Sequence, residues 1–263
     1  MTSFDLRPHL TPGAAVQKME HGGWRLEIPP GDKGEYRLAQ LDDYSRLPRR
    51  DFAWRPGFRL QLQARASAAV LPGTWGFGLW NDPFSMGVLS GTGILRLPAL
   101  PNAAWFFFAS PPNYLSLRDD LPAQGNLAAV FRSPRVPPLL LALGAPLLAV
   151  CLVPPVMRLL RRWGRRVIRQ DAVDIALDPT AWHTYALQWL PGYVHFLVDG
   201  ETVLQSAVVP RGPLGLVLWV DNQYAALPPS GRLGYGTLPT PEGAWVEVRE
   251  LSWGRVNGDF IDA

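Results

Sequence analysis

Cysteine is almost missing from this chain. Cys151 is the only one in 263 residues, so no disulfide can close within it. That cysteine and four histidines show no metal-ligand spacing such as CxxC or HxxxH, which argues against a transition-metal centre. No glycine-rich loop runs into a helix and a lysine. "SGTGIL" at 90–95 reads as a turn, and no cofactor is implied. Net charge is small, +3 at pH 7, so no general affinity for nucleic acid follows. The opening "MTSFDLRPHLTPG" has no apolar run behind a basic start. It is not a signal peptide as written, and the expected location is cytoplasmic, peripheral at a membrane if the segment described below docks there.

Proline (27), glycine (25) and tryptophan (11) are plentiful, and 48% of residues are hydrophobic. Frequent turn residues between short apolar runs point to many strands, and one all-β domain can reach this length. We expect residues 1–263 to form a single β-sandwich domain. "FRLQLQARAS" alternates cleanly: Phe58, Leu60, Leu62 and Ala64 on one face, Arg59, Gln61, Gln63 and Arg65 on the other. "GTWGFGLWND" is apolar on both parities, so it is buried on both sides or lines a cleft. Asp199-Gly200 between "HFLV" and "TVLQSA" is a hairpin signal.

Residues 136–170 break the pattern and read as a helical insert. From Val136 to Met157 there is no charge, an apolar run of 22 residues. That length falls in the range of a membrane span. However, strands on both sides of it in sequence must fold into one sandwich, and Gly144-Ala145-Pro146 and Pro154-Pro155 interrupt it. Two short apolar helices fit better. Six arginines then fall between 158 and 169, with Val156, Leu160, Trp163 and Val167 at helical spacing. This is a basic amphipathic pattern. Arg158, Arg161, Arg162, Trp163, Arg165 and Arg166 are the expected contacts to an anionic membrane surface or a protein partner, through 137–169. The alternative is that the insert packs on the sandwich.

Five stretches stand in an order that resembles a known family. They are "WRPGFRLQLQARA", "LPGTWGFGLWND", "DPTAWHTYALQWLPGYVHFLVDGETV", "GPLGLVLWVDNQ" and "WVEVRELSWGR". The resemblance is to the concanavalin A-like jelly roll, most closely to glycoside hydrolase family 16. It covers roughly residues 20–110 and 171–256. It implies an all-β sandwich whose concave sheet carries a carbohydrate cleft. In that family the strand after the Trp-rich one carries E-x-D-x-x-E. The first Glu is the nucleophile and the last the acid/base, held about 5–5.5 Å apart. Here "NAAWFFFASPPNY", residues 102–114, fills that place and contains no acid. Asp119-Asp120 are adjacent and read as a turn. Asp171, Asp174 and Asp178 precede the wrong strand. Glu247 and Glu250 lie on the closing strand. No catalytic residue is assigned.

The resemblance places Trp75, Trp80, Trp105 and Trp219 on the concave face, as platforms for a sugar ring or an apolar ligand. Alternatively they pack between the sheets. Asn81, Asp221 and Asn222 follow apolar strands, where they can bond ligand hydroxyls or close turns. His183 sits in a strand and can face a ligand or be bonded at a sheet face. The expected function is a non-catalytic binding protein for a carbohydrate or apolar small molecule, with the basic insert docking on a membrane or partner. The alternative is an active glycoside hydrolase on a β-glucan-like polysaccharide with displaced acids, for instance Asp221 with Asp82.

Overall fold

The alternating stretches of the sequence become the strands of two antiparallel sheets. The computed structural model describes residues 6–83, 96–137, 141, 153–256 and the backbone of 260–262. The first sheet runs β1 (Arg7–Leu10), β4 (Leu38–Asp42), β13 (Gly215–Asp221), β6 (Thr74–Trp80), β7 (Ala103–Ala109), β8 (Gly125–Arg132), β9 (Arg169–Asp174). The second runs β12 (Glu201–Ser206), β11 (Val194–Val198), β10 (His183–Trp189), β5 (Phe58–Ala66), β16 (Ala244–Arg255), β3 (Trp24–Ile28), β2 (Ala15–Lys18), with β17 (Phe260–Asp262) on β16. A small ribbon pairs β14 (Gln223–Ala226) with β15 (Gly234–Thr237).

β5 behaves as its period-2 pattern requires. Phe58, Leu60, Leu62 and Ala64 are buried, and the residues between them are half-buried on the outer face. The hairpin between β11 and β12 turns at Asp199 (φ 51) and Gly200 (φ 87). Two left-handed residues in succession match the right-handed twist of the flanking strands. Between the sheets the core is continuous, with Leu60, Leu62, Phe77, Phe106, Tyr185, Leu187, Leu218 and Val246 among its members.

A second apolar cluster lies on the other side of the first sheet. Phe107, Ala129, Phe131, Val217 and Trp219 meet Tyr44, Phe52, Leu121 and Ala123 from the flanking segments. The first sheet is therefore apolar on both faces, which explains why β6 and β7 lack a period-2 signal.

Of the insert, the structure describes one helix, α1 (Pro154–Val167). Pro154 opens it at a position where the missing N–H costs nothing. The apolar run in which two short helices are expected falls mostly at 138–152, where only residue 141 is described; "SGTGIL" and Cys151 also lie outside the described residues. Among the described residues, no helix is long and apolar enough to cross a membrane.

Candidate functional site

The site is built on the face of the first sheet turned away from the core. β6 presents Thr74, Gly76, Gly78 and Trp80 there; its neighbours present Ala103, Trp105, Phe107 and Ala109 from β7 and Val217, Trp219 and Asp221 from β13. Gly76 and Gly78 form the floor. A Cβ on Gly76 would lie 2.3 Å from the Phe106 carbonyl oxygen and 2.8 Å from the Trp219 ring. A Cβ on Gly78 would lie 2.6 Å from Trp105 Cα. Bare backbone in β6 thus makes room for both indoles over the sheet, tilted 54° to one another.

Trp105 is the hub of this face. Its ring centroid is 5.8 Å from Trp80, 5.7 Å from Phe107, 5.7 Å from Trp219 and 6.1 Å from Phe131. Trp105 and Trp80 are half-buried, whereas Trp219 is 9% exposed. Beside Trp105 lies a cavity of about 20 Å³ bounded by Phe107, Leu115, Leu127, Phe131 and Gln170. That admits a water molecule, not a sugar ring. The described residues therefore form an aromatic surface largely filled by its own side chains, a narrower opening than the resemblance implied.

The structure separates the expected ligand residues into three groups. Trp80, Trp105 and Trp219 come together as described. Trp75 does not join them: it points into the core, 3% exposed, stacked on Phe108 at 3.6 Å. One residue of register puts it on the opposite face from Gly76. The polar residues are already committed. Asn81 Nδ2 donates to the Leu100 carbonyl (2.9 Å) and its Oδ1 accepts from Asn102 N–H (2.9 Å). Asn222 is fully buried, donating to the Glu35 and Leu238 carbonyls (both 2.9 Å) and accepting from Arg37 N–H (2.8 Å). His183 lies on the second sheet, bonded to Asp199 (2.7 Å) and the Asp178 carbonyl (3.0 Å).

Asp221 shares the aromatic face but is turned into the protein. Its Oδ1 accepts from Thr74 Oγ1 (2.8 Å) and Thr74 N–H (3.2 Å), and Thr74 Oγ1 accepts from Trp219 Nε1 (3.0 Å). Burial pushes its carboxyl up to about 7, against the pull of the Thr74 hydroxyl. Asp82 lies beyond the other end of β6, ion-paired to Arg96 at 2.8 Å with both side chains buried. Thr74, the partner of Asp221, and Trp80 are the two ends of β6. At ~3.3 Å per residue the two carboxyls stand on the order of 20 Å apart. Hydrolysis tolerates at most about 9.5 Å. The displaced pair is overturned by this distance.

Helix α1 packs differently from its apolar stripe. Met157 and Arg161 are its buried residues, and Gly164 faces Leu117. Arg161 was expected on the anionic surface. It is instead 6% exposed and holds Asp119 (2.9 Å) and the carbonyls of Ser116 (2.7 Å), Arg118 (2.9 Å) and Leu227 (2.5 Å). Asp119 also takes Arg165, and these contacts, Arg161 first, hold its carboxyl below the usual range. Leu159 (52%), Leu160 (45%), Trp163 (56%) and Val167 (41%) are left exposed, with Arg158, Arg162, Arg165 and Arg166 beside them. Sequence reasoning missed the Asp119–Arg161 lock, whose partners are 42 residues apart.

Sequence reasoning also missed an outer-face cluster on the second sheet. The Arg25 guanidinium lies 4.4 Å from the Trp245 ring centroid, and Arg249 lies 4.1 Å from that of Trp182. Glu247 binds Arg25 and Arg65. The period-2 pattern predicted a polar face there but not these partners. Among the described residues, no group of His, Cys, Asp or Glu could hold a metal ion.

No family model matches the chain, and no curated protein does. Among solved structures it is similar to a β-glucanase from Bacillus licheniformis, at 10% identity and a TM-score of 0.43, over 90% of this chain and 79% of that one. It is similar to the laminarinase catalytic domain from Thermotoga maritima, at 12% identity and 0.45, over 96% and 81%. It is similar to a legume lectin-like domain from Entamoeba histolytica, at 11% identity and 0.45, over 96% and 90%. The chain's own two antiparallel sheets make it an all-β sandwich, and its resemblance to the concanavalin A-like jelly roll is one of fold alone.

Proposed function

We propose that this protein binds rather than hydrolyses, using the aromatic face for its ligand and α1 for docking. One observation carries the first half. The outward positions of β7 are Ala103, Trp105, Phe107 and Ala109. Catalysis at this place in a family 16-like sandwich needs two carboxyls, and these side chains can neither attack nor transfer a proton. What the face offers is the half-buried Trp105 and Trp80 rings, an aromatic patch suited to the face of a sugar ring or to an apolar molecule. The apolar ligand is favoured. Most nearby polar groups are already satisfied, the Trp80 Nε1–H excepted: Asp42 accepts from Gln40 (2.7 Å), Tyr44 N–H (3.0 Å) and Ser45 N–H (2.6 Å), and Asn81, Asp221 and Asn222 are engaged as above. A hydroxyl-rich ligand would find few free partners.

The docking half rests on α1. Four large apolar side chains are exposed on one helix, flanked by Arg158, Arg162, Arg165 and Arg166. Exposed apolar surface costs free energy in water, and its arginine border complements anionic lipid headgroups. The protein then sits peripherally on the membrane, with the sandwich presented from its surface. The test of the binding reading is a reducing-sugar assay over a panel of β-glucans, run beside a titration with an uncharged apolar fluorophore. No sugar release and saturable fluorophore binding are expected. Sustained release from any glucan by the purified chain would overturn the reading.

A further inference from the structure

A surface pocket of about 280 Å³ opens where α1 ends and β9 begins, and it is lined by three arginines. We propose that this pocket, bounded by Arg118, Arg165 and Arg169, seats the phosphate of an anionic phospholipid headgroup when α1 lies on a membrane. The proposal rests on the docking reading above and gives that reading a specific lipid contact.

The walls suit this role. Leu117, Ile168 and Val208 supply an apolar side for the carbons flanking a phosphate. Gln170 is a fixed wall: its Oε1 accepts from Leu117 N–H (2.8 Å) and its Nε2 donates to Ser116 Oγ (2.9 Å). It thereby pins the loop carrying Arg118 against the strand carrying Arg169. Planar guanidinium groups converging from a helix end, a loop and a strand can each give a phosphate two parallel N–H bonds.

Two of the three arginines are held by exchangeable partners. Arg118 pairs with Asp120, whose side chain is 68% exposed, while its Nη1 also donates to the Ala172 carbonyl (3.2 Å), and Arg165 pairs with Asp119, 49% exposed. Exposed pairs of this kind contribute little to stability, so a phosphate can share or displace them. Arg169 has no side-chain hydrogen bond or ion pair among the described residues. It also stands directly opposite Arg132 in the β8–β9 register. Like charges facing across strands are unfavourable, and an anion beside Arg169 relieves the repulsion. The pocket borders Arg165 and Ile168, so it continues the basic border of the exposed apolar stripe onto the sandwich.

Vesicle flotation tests this. Neutral phosphatidylcholine vesicles are compared with vesicles containing phosphatidic acid. Arg169→Gln is compared with Arg162→Gln, which removes the same charge from the exposed helix away from the pocket. A diffuse charge near a surface is worth about fivefold in partitioning. Arg162→Gln should show that loss, and Arg169→Gln a loss of about fiftyfold, because headgroup bonds go with the charge. Should Arg169→Gln fail to fold, Arg118→Gln carries the same comparison. Equal losses in the two variants would leave docking standing and overturn the headgroup site. No flotation of the wild type on any vesicle would overturn docking and site together. Calorimetry with inorganic phosphate alone should give no saturable heat. Saturable binding there would make this a free-anion site instead of a lipid site.

Discussion

Arg161 and Arg165 stand four residues apart on one helix and touch the same carboxylate, yet their surroundings set different energies. Arg161 is buried and serves three carbonyls as well as Asp119. Arg161→Ala removes those bonds and leaves buried acceptors without a donor, so chemical denaturation should show a loss of about 3 kcal/mol. Arg165 is exposed, and Arg165→Ala should cost less than about 1 kcal/mol in the same measurement. Two desolvated carboxyls, half-buried Asp43 and buried Asp221, supply a second prediction. Burial raises Asp43 and Asp221 from 3.8 to about 7. Between those values the folded chain keeps protons that the unfolded chain has released, so stability declines as pH climbs from about 4 to about 7 and levels off above. Thermal unfolding midpoints across that window should fall, and Asp221→Asn should flatten the slope. The sequence carried a signal for the aromatic face at this scale that composition hides. Gly76 and Gly78 share one parity of β6, and Trp75, Phe77 and Leu79 the other. The glycine parity is the face on which neighbouring rings lie. Asn222 gave no such signal, because its partners Glu35, Arg37 and Leu238 come from distant loops.

At the scale of elements, β5 and the β11–β12 hairpin were legible because their patterns are local: alternation in one, Asp-Gly in the other. Helix α1 was legible as a helix with a basic side. Its packed face was not, since that face is chosen by Asp119 and by the Ser116, Arg118 and Leu227 carbonyls. The stripe expected at Val156, Leu160, Trp163 and Val167 is not the packed face: Leu160, Trp163 and Val167 lie in solvent. This separates stability from docking. Leu160→Ser and Trp163→Ser together should change the thermal midpoint little, because surface changes away from packed groups cost about 0.5 kcal/mol or less. The same double variant should abolish flotation on anionic vesicles. Wild-type flotation by the variant would place docking elsewhere.

For the whole molecule, the two sheets differ in what they turn outward. The second sheet turns a lattice of Arg25, Arg65, Arg249, Glu247, Trp182 and Trp245 outward, with each ring covered by a guanidinium. The first sheet turns Trp80, Trp105, Phe107 and Trp219 outward, where the flanking segments bury Phe107 and Trp219 and leave Trp80 and Trp105 half-buried. The order of strand signatures in the sequence carried the sandwich. The state of the face did not follow from it, since filling depends on the segments carrying Tyr44, Phe52, Leu121 and Ala123, which have no strand pattern. The most direct test is a titration with uncharged N-phenylnaphthylamine, comparing wild type, Trp105→Ala and Trp182→Ala. Saturable binding is expected for wild type and Trp182→Ala, with affinity at least tenfold weaker in Trp105→Ala. Equal affinity in all three, or loss only in Trp182→Ala, would contradict the assignment of the first sheet as the binding face.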